Sequence, residues 1–244
     1  MTGPDAKHDL AGFRRVDSFR HVDTWVFDLD NTLYPPDSDL WPRIDARITA
    51  YMIAMFGLDG LSARALQKYY YRRYGTTLSG LIQEYGVAPA EFLRFVHDID
   101  RSSLAPDPAL EKAIEALPGR KLILTNGSHA HALATAKQLG IDHLFEGMFG
   151  IEAADYLPKP ALQTYQRFFE RHGVDPAKAA MFEDMVHNLE APHASGMLTV
   201  LVTPRIGGYD HREDWEIGGG SPPHVDFVTD DLTAFLNGLA PPKP

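Results

Sequence analysis

The alternation of apolar and polar positions divides the chain into three regions. Trp25-Val26-Phe27 is a short apolar run that empties into Asp28-Leu29-Asp30 and then breaks at Pro35-Pro36. A run this short, closed by turn residues, predicts a buried strand. Beyond the prolines the period changes. Trp41, Ile44, Ile48, Met52 and Met55 recur at helical spacing and predict an amphipathic helix ending at Gly57. Residues 62–74, 77–85 and 89–99 also read as helices, and 38–104 carries no strand pattern. From Pro106 onward, short apolar runs alternate with helical ones. The predicted order is helix 107–117, strand 121–125, helix 129–139 closed by Gly140, and strand 147–150. A helix from Pro160 to His172 follows, with Pro160 in the favoured first position. Strand 179–183, helix 187–195, strands 198–202 and 225–228, and helix 230–238 complete the pattern.

Strands separated by helices of this length imply parallel pairing through right-handed crossovers. The expected fold class is α/β: a parallel sheet flanked by helices, from residues 21–37 and 105–238, interrupted by an all-helical insertion at 38–104. Residues 1–20 read as a loose arm, 204–223 as an irregular loop, and 239–244 as a disordered tail.

Composition narrows the function classes. At 244 residues, 44% apolar and 23% charged, the chain suits one large domain or a core with an insertion. It has no cysteine, so disulfides, thiolate zinc sites and cysteine nucleophiles are excluded. No run approaches the ~18 apolar residues of a membrane helix, and Met1 to Asp9 is too polar for a signal peptide. The expectation is a soluble, cytoplasmic protein. A net charge of −10 argues against a nucleic-acid polymer as partner. It leaves a small anionic substrate open, because one cation and one lysine can invert the local potential. The eleven histidines show no metal-ligand spacing and read as surface or packing residues.

Candidate chemistry begins at Asp28 and Asp30. Residues two apart in an extended chain point the same way, so both carboxylates can face one pocket at the carboxyl end of a strand. Two like charges that close need a cation or a shared proton. By itself the pair fits a solvated strand end equally well. Three later segments alter the balance. Lys121-Leu122-Ile123-Leu124-Thr125-Asn126-Gly127 ends an apolar run in a hydroxyl, an amide and a glycine. Pro158-Lys159-Pro160 sets a lysine at the mouth of a predicted helix, and Ala179-Ala180-Met181-Phe182-Glu183-Asp184 ends a third run in paired acids. A lone threonine there would usually satisfy a turn, and a lone lysine would usually be solvated.

In this order the four segments resemble the signature motifs of the haloacid dehalogenase superfamily, most of whose members are magnesium-dependent phosphohydrolases. The resemblance implies a Rossmann-like core with a helical cap at 38–104, and an aspartyl-phosphate intermediate on Asp28. Asp30 would protonate the leaving oxygen and then activate water. Mg2+ would be held by Asp28, the backbone carbonyl of Asp30 and Asp184, with Glu183 acting through a water. Thr125, Asn126 and Lys159 would bind the phosphoryl group. Asn188 stands where many members carry a further acid.

A closer likeness is to the pyrimidine 5′-nucleotidase branch. It rests on Phe27-Asp28-Leu29-Asp30-Asn31-Thr32-Leu33-Tyr34-Pro35, on Thr125-Asn126-Gly127 with His131-Ala132, and on the run from Tyr70 to Leu81. It implies hydrolysis of nucleoside 5′-monophosphates such as UMP or CMP by a monomer or homodimer. Within the tyrosine and arginine cluster, Tyr74 and Arg72 are the expected substrate contacts. The cap would close over the site on hinges near Pro35-Pro36 and from Leu104 to Pro108. Competing readings are a phosphatase or mutase for another small phosphate ester such as a sugar phosphate, a dehalogenase, which Asp30 argues against, and a non-catalytic binding protein on the same fold.

Overall fold

The computed structural model describes residues 16–205 and 222–239, with 208, 210, 212, 213 and 216 between them. Thr24–Phe27, buried at every position, is β1. The chain then leaves the sheet for four helices: α1 (Leu40–Phe56), α2 (Gly60–Tyr74), α3 (Thr77–Tyr85) and α4 (Pro89–Val96). It returns through α5 (Pro108–Glu115), β2 (Arg120–Leu124), α6 (His129–Leu139) and β3 (Gly147–Phe149). The rest is α7 (Leu162–His172), β4 (Ala179–Glu183), α8 (Glu190–Ala194), β5 (Leu198–Val202), β6 (Phe227–Thr229) and α9 (Leu232–Leu239).

Among the described residues, six strands pair in parallel, in the order β3-β2-β1-β4-β5-β6. Continuous apolar runs suit such strands because helices cover both faces. Alternate residues part into two layers. Trp25, Phe27, Ile123, Phe182 and Val200 pack with α5, α6 and α9. Val26, Leu122, Leu124 and Met181 pack with α7 and α8 on the other face. The turn into β2 passes so close to the start of β1 that only glycine fits. Gly119 has φ +80°, and a Cβ there would meet the Asp23 carbonyl at 2.1 Å.

The insertion has its own small core, in which Met52, Ala63, Tyr70, Leu78, Leu81, Phe92, Leu93 and Val96 meet Ile151 from the segment after β3. Local signals end its helices. Asp59 caps α2 by accepting from Leu61 N and Ser62 N, and Gly57 and Gly86 stop α1 and α3 in left-handed conformations. No described helix is long and apolar enough to cross a membrane.

Several expectations are corrected. Val16–His21 is a 3-10 helix rather than part of a loose arm, with Phe19 and Val22 packed beside Trp25 in the core. Leu239 belongs to α9, while residues 1–15, 240–244 and most of 204–223 lie outside the described residues. Helix α4 ends at Val96, not 99, and 187–195 splits into a 3-10 turn, Val186–Leu189, and α8. Pro160 is not a first helical residue. It follows a cis Lys159-Pro160 bond, and α7 starts only at Leu162.

Candidate active site

Strand register builds the floor of the site. Phe27 lies opposite Ile123 on one side and Phe182 on the other. The residues that follow, Asp28, Leu124-Thr125 and Glu183-Asp184, therefore emerge together at the carboxyl end of three adjacent strands. This is where open parallel sheets place their ligands. Asp28 is tied to that edge by its N–H, which donates to the Phe182 carbonyl at 2.9 Å.

Lys159 sits among these groups at 2% exposure. Its ammonium donates to Asp28 Oδ1 at 2.6 Å, Glu183 Oε1 at 2.7 Å and the Leu124 carbonyl at 3.1 Å. All three of its protons are thereby placed. The loop that delivers it is held by Asn126. Asn126 Oδ1 accepts from Lys159 N at 2.8 Å, and its amide donates to the Lys159 carbonyl at 3.3 Å. The Asn126 side chain thus positions the lysine. Thr125, also buried, accepts from Gly127 N at 2.9 Å. A Cβ on Gly127 would lie 3.3 Å from Thr125 Oγ1, so the bare glycine keeps this end of the cavity open.

Glu183 is fastened at both oxygens. Besides Lys159, Asn188 Nδ2 donates to Oε1 at 2.6 Å, and Met185 N donates to Oε2 at 2.8 Å. Carboxylate oxygens of Asp28, Glu183 and Asp184, all buried, lie within 4.8 Å of one another. Three buried acids around one ammonium are electrostatically unbalanced. Burial and the neighbouring carboxylates push Asp28 up to about 7 against the pull of Lys159. Asp184 is raised well above the ordinary carboxylate range by burial first and then by Glu183 and Asp28. An all-oxygen donor set that is over-negative when ionised fits a hard divalent cation such as Mg2+. Asp28, Asp184 and Glu183 are the side chains that could hold one.

Asp30 has a different setting. Its Oδ1 receives both the Tyr34 hydroxyl at 2.5 Å and His131 Nε2 at 2.8 Å. Burial pushes this carboxyl up, but His131 beside it and the two hydrogen bonds outweigh burial and hold it down to about 2. The expectation that every histidine is a surface or packing residue therefore fails at His131. Its side chain is fully buried, in the first turn of α6, where the Ser128 cap accepts its backbone N–H. The signal was present as Ser128 before a helical run, which directs that first turn at the strand ends. Behind His131 stand Arg101 and His97, and the two imidazoles stack at 4.3 Å.

Between this floor and the insertion lies a cavity of ≈170 Å³. Trp41, Ile44, Tyr71, Phe92 and Leu93 contribute its roof. Tyr74 and Arg72 do not line it. The Tyr74 ring packs over Gly80, where any Cβ would come within 2.8 Å of it, and its hydroxyl pairs with Glu84. Arg72 is exposed. Tyr71 takes the place expected of them, with its hydroxyl on Glu216, which also lines the cavity.

The profile of the haloacid dehalogenase-like hydrolases matches residues 22–196. Phosphate metabolism protein 8 of Saccharomyces cerevisiae is 30% identical over 195 residues, 72% of this chain and 60% of the yeast protein. The chain thus spans less than two thirds of that relative. Phosphoglycolate phosphatase of Neisseria meningitidis is 25% identical over 82% of this chain and 92% of its own length. Among solved structures, a defluorinating L-2-haloacid dehalogenase superposes with TM-score 0.57 at 21% identity, over 93% of this chain and 99% of that one. Likeness at that identity speaks for the fold alone. With the family profile covering most of the chain, and the sheet order and strand-end acids in agreement, this protein belongs to the haloacid dehalogenase-like hydrolases.

Proposed function

We propose that the chain is a magnesium-dependent phosphomonoester hydrolase working through an aspartyl-phosphate on Asp28. The observation that carries this reading is the buried Lys159 bridging Asp28 and Glu183 at a cavity that Asp30 also lines. Phosphoryl transfer requires an in-line nucleophile, neutralised equatorial oxygens and a proton for the leaving group. Lys159 aims Asp28 Oδ1 and offers positive charge to the transferred group, as a fixed point charge in a dry site. Asp28 attacks phosphorus as the ester P–O bond breaks, and the leaving oxygen takes a proton from Asp30 to depart as an alcohol. Asp30, now ionised, takes a proton from water, whose oxygen attacks the phosphorus and releases Asp28 and inorganic phosphate.

The carboxyl of Asp30 is ionised in the free site, which suits the second step. The arriving phosphate dianion raises its proton affinity, so that Asp30 takes up a proton from solvent before the first step. Thr125 and the backbone N–H of Asn126 are proposed to hold phosphoryl oxygens. Asp28, the Asp30 carbonyl and Asp184 would hold Mg2+, with Glu183 and Asn188 shaping that set. The ion would supply charge neutralisation for the phosphoryl group. A HAD-hydrolase of Bacillus subtilis, alike in fold at TM-score 0.56 and 14% identity, was crystallised bound to magnesium.

For the substrate we propose a pyrimidine nucleoside 5′-monophosphate, with residues 38–104 acting as a cap over a core of 21–37 and 105–238. Aromatic and apolar roof residues, Trp41 and Tyr71 among them, offer faces for a base. A second reading, a smaller aliphatic ester, is favoured by volume. The ≈170 Å³ cavity is below the roughly 300–1,000 Å³ typical of drug-sized ligands. Phosphoglycolate phosphatase and a fructose-1-phosphate phosphatase of Escherichia coli, 32% identical over 41% of this chain, are relatives in that direction. Inorganic phosphate release from UMP, CMP, 2-phosphoglycolate and fructose 1-phosphate, with and without magnesium, separates the readings. Release from UMP or CMP in magnesium alone supports the first, release from the small esters alone supports the second, and none from any ester rejects the hydrolase.

A further inference from the structure

The carboxyl group of Asp30 is held asymmetrically. Tyr34 and His131 both donate to Oδ1, and no described hydrogen bond reaches Oδ2. The other ring nitrogen of His131 meets Arg101 Nη2 at 2.9 Å. A guanidinium has no acceptor, so this contact calls for Nδ1 to accept and for the ring N–H facing Asp30 to be on Nε2. Arg101 therefore determines which nitrogen of His131 faces Asp30 as a donor. Were the proton on Nδ1 instead, two donors would collide at Arg101 and two lone pairs would face each other at Asp30.

Arg101 is itself held by the chain leaving the insertion. Its Nη1 donates to the Ile99 carbonyl at 3.2 Å, and Nη2 donates to the His97 carbonyl at 3.2 Å. Nε reaches Thr135 on α6 at 3.3 Å. The guanidinium thus joins the exit segment of the insertion to the helix that presents His131. His97, stacked on His131, closes the same face, and Ser128 Oγ lies 3.0 Å from His97 Nδ1.

We infer that Arg101 and His131 are positioning residues for proton transfer. Together they lock the Asp30 carboxyl by Oδ1 and leave Oδ2 as the oxygen that gives the proton to the leaving alcohol. This inference rests on Asp30 being the general acid, as proposed above. The seat of the insertion then governs the alignment of Asp30 through one arginine.

The test uses the leaving group. An aliphatic ester that the enzyme turns over, UMP or 2-phosphoglycolate, needs a proton on its departing oxygen, whereas p-nitrophenyl phosphate departs as a stable phenolate. kcat/KM reports only the steps through aspartyl-phosphate formation, where the acid acts. Arg101→Met is expected to lower kcat/KM on the aliphatic ester about 10- to 100-fold, part of the ~10²–10⁴ that general acids contribute. The loss on p-nitrophenyl phosphate should be at least tenfold smaller. Arg101→Lys, which keeps one donor for His131, should recover most of the loss. His131→Gln, whose amide can still donate to Asp30, should be milder than His131→Leu. Circular-dichroism melts accompany each variant, and the Lys and Gln variants carry the test if the Met variant does not fold.

Equal losses on both esters, or no loss on either, would overturn the inference, provided Asp30→Asn itself shows the leaving-group dependence. If Asp30→Asn shows none, the general-acid reading fails first, and this inference falls with it.

Discussion

The floor and the roof of the cavity are built on opposite plans. In the floor, Lys159 reaches Asp28 across 131 positions of sequence and Glu183 across 24, and all three are buried. In the roof, Lys68 pairs with Asp45 at 3.2 Å and Glu213 at 2.8 Å, and both the lysine and Glu213 are partly open to solvent. Charges of the floor interact in a medium that screens little, whereas each exposed pair of the roof is worth about 0–1 kcal/mol. The contrast teaches where chemistry and selectivity divide. Strand register sets the floor, whereas the lining of the roof is set by helices of the insertion, where a change at the cavity is expected to alter binding before it alters the reaction.

The severest way to break that division is Asp28→Asn. Phosphate release should fall by about 10⁴-fold or more, the scale of losing a catalytic nucleophile. A steady-state assay that found a tenfold loss would remove Asp28 from the central role.

Next is Lys159→Met. A fixed positive charge at the reacting group is worth about 10²–10³ in rate, so kcat should drop by that factor. Unpairing Asp28 and Glu183 should also cost about 3 kcal/mol, measured by urea unfolding in EDTA. Unchanged stability would mean that the two acids are relieved in another way.

The third prediction concerns pH and metal. Asp28 binds its proton more tightly folded, at about 7, than at its ordinary value of 3.8. Its contribution to stability is full below about pH 4 and is lost as pH rises toward 7. Asp30, held at about 2, acts oppositely, and its contribution is lost as pH falls below about 4. Magnesium favours the ionised acids and removes the first loss. The gap between unfolding free energies in magnesium and in EDTA, read from urea unfolding, should therefore widen from about pH 5 to pH 8, by a few kcal/mol at most. A gap that narrows with rising pH would contradict the buried acid cluster as a cation site.

The smallest effect sharpens the roof. Tyr71→Phe removes one hydroxyl from Glu216 and should raise KM a few-fold with kcat nearly unchanged, an effect of about 1 kcal/mol. Tyr74→Phe should leave KM within twofold, since that side chain faces Glu84 and α3. A larger effect from Tyr74 than from Tyr71 would reverse the assignment.

Much of the fold could be read before any coordinates. Five-residue apolar runs such as 179–183 and 198–202 coincide with β4 and β5, and glycines at 57 and 140 end helices as expected. These features are local, since strand length, helix period and left-handed caps are decided within a few residues. The sequence misleads at Pro160, where a favoured first-turn residue lies in a loop fixed instead by Asn126 and Lys159. It was silent at Arg101, an unremarkable arginine in a linker.

By itself, then, the chain determined the alternating strands and helices, the helical interruption, and the acids, threonine and lysine at the strand ends. Those are consequences of periodicity and of residue type. The tertiary structure decided the partners: which oxygen of Asp30 is held, that Asn126 serves the lysine, and that Tyr71 rather than Tyr74 meets the cavity. Hydrogen bonds between residues 24 to 131 positions apart are selected by packing. No local pattern encodes which two buried groups will meet, because that depends on crossovers and register accumulated over the whole sheet.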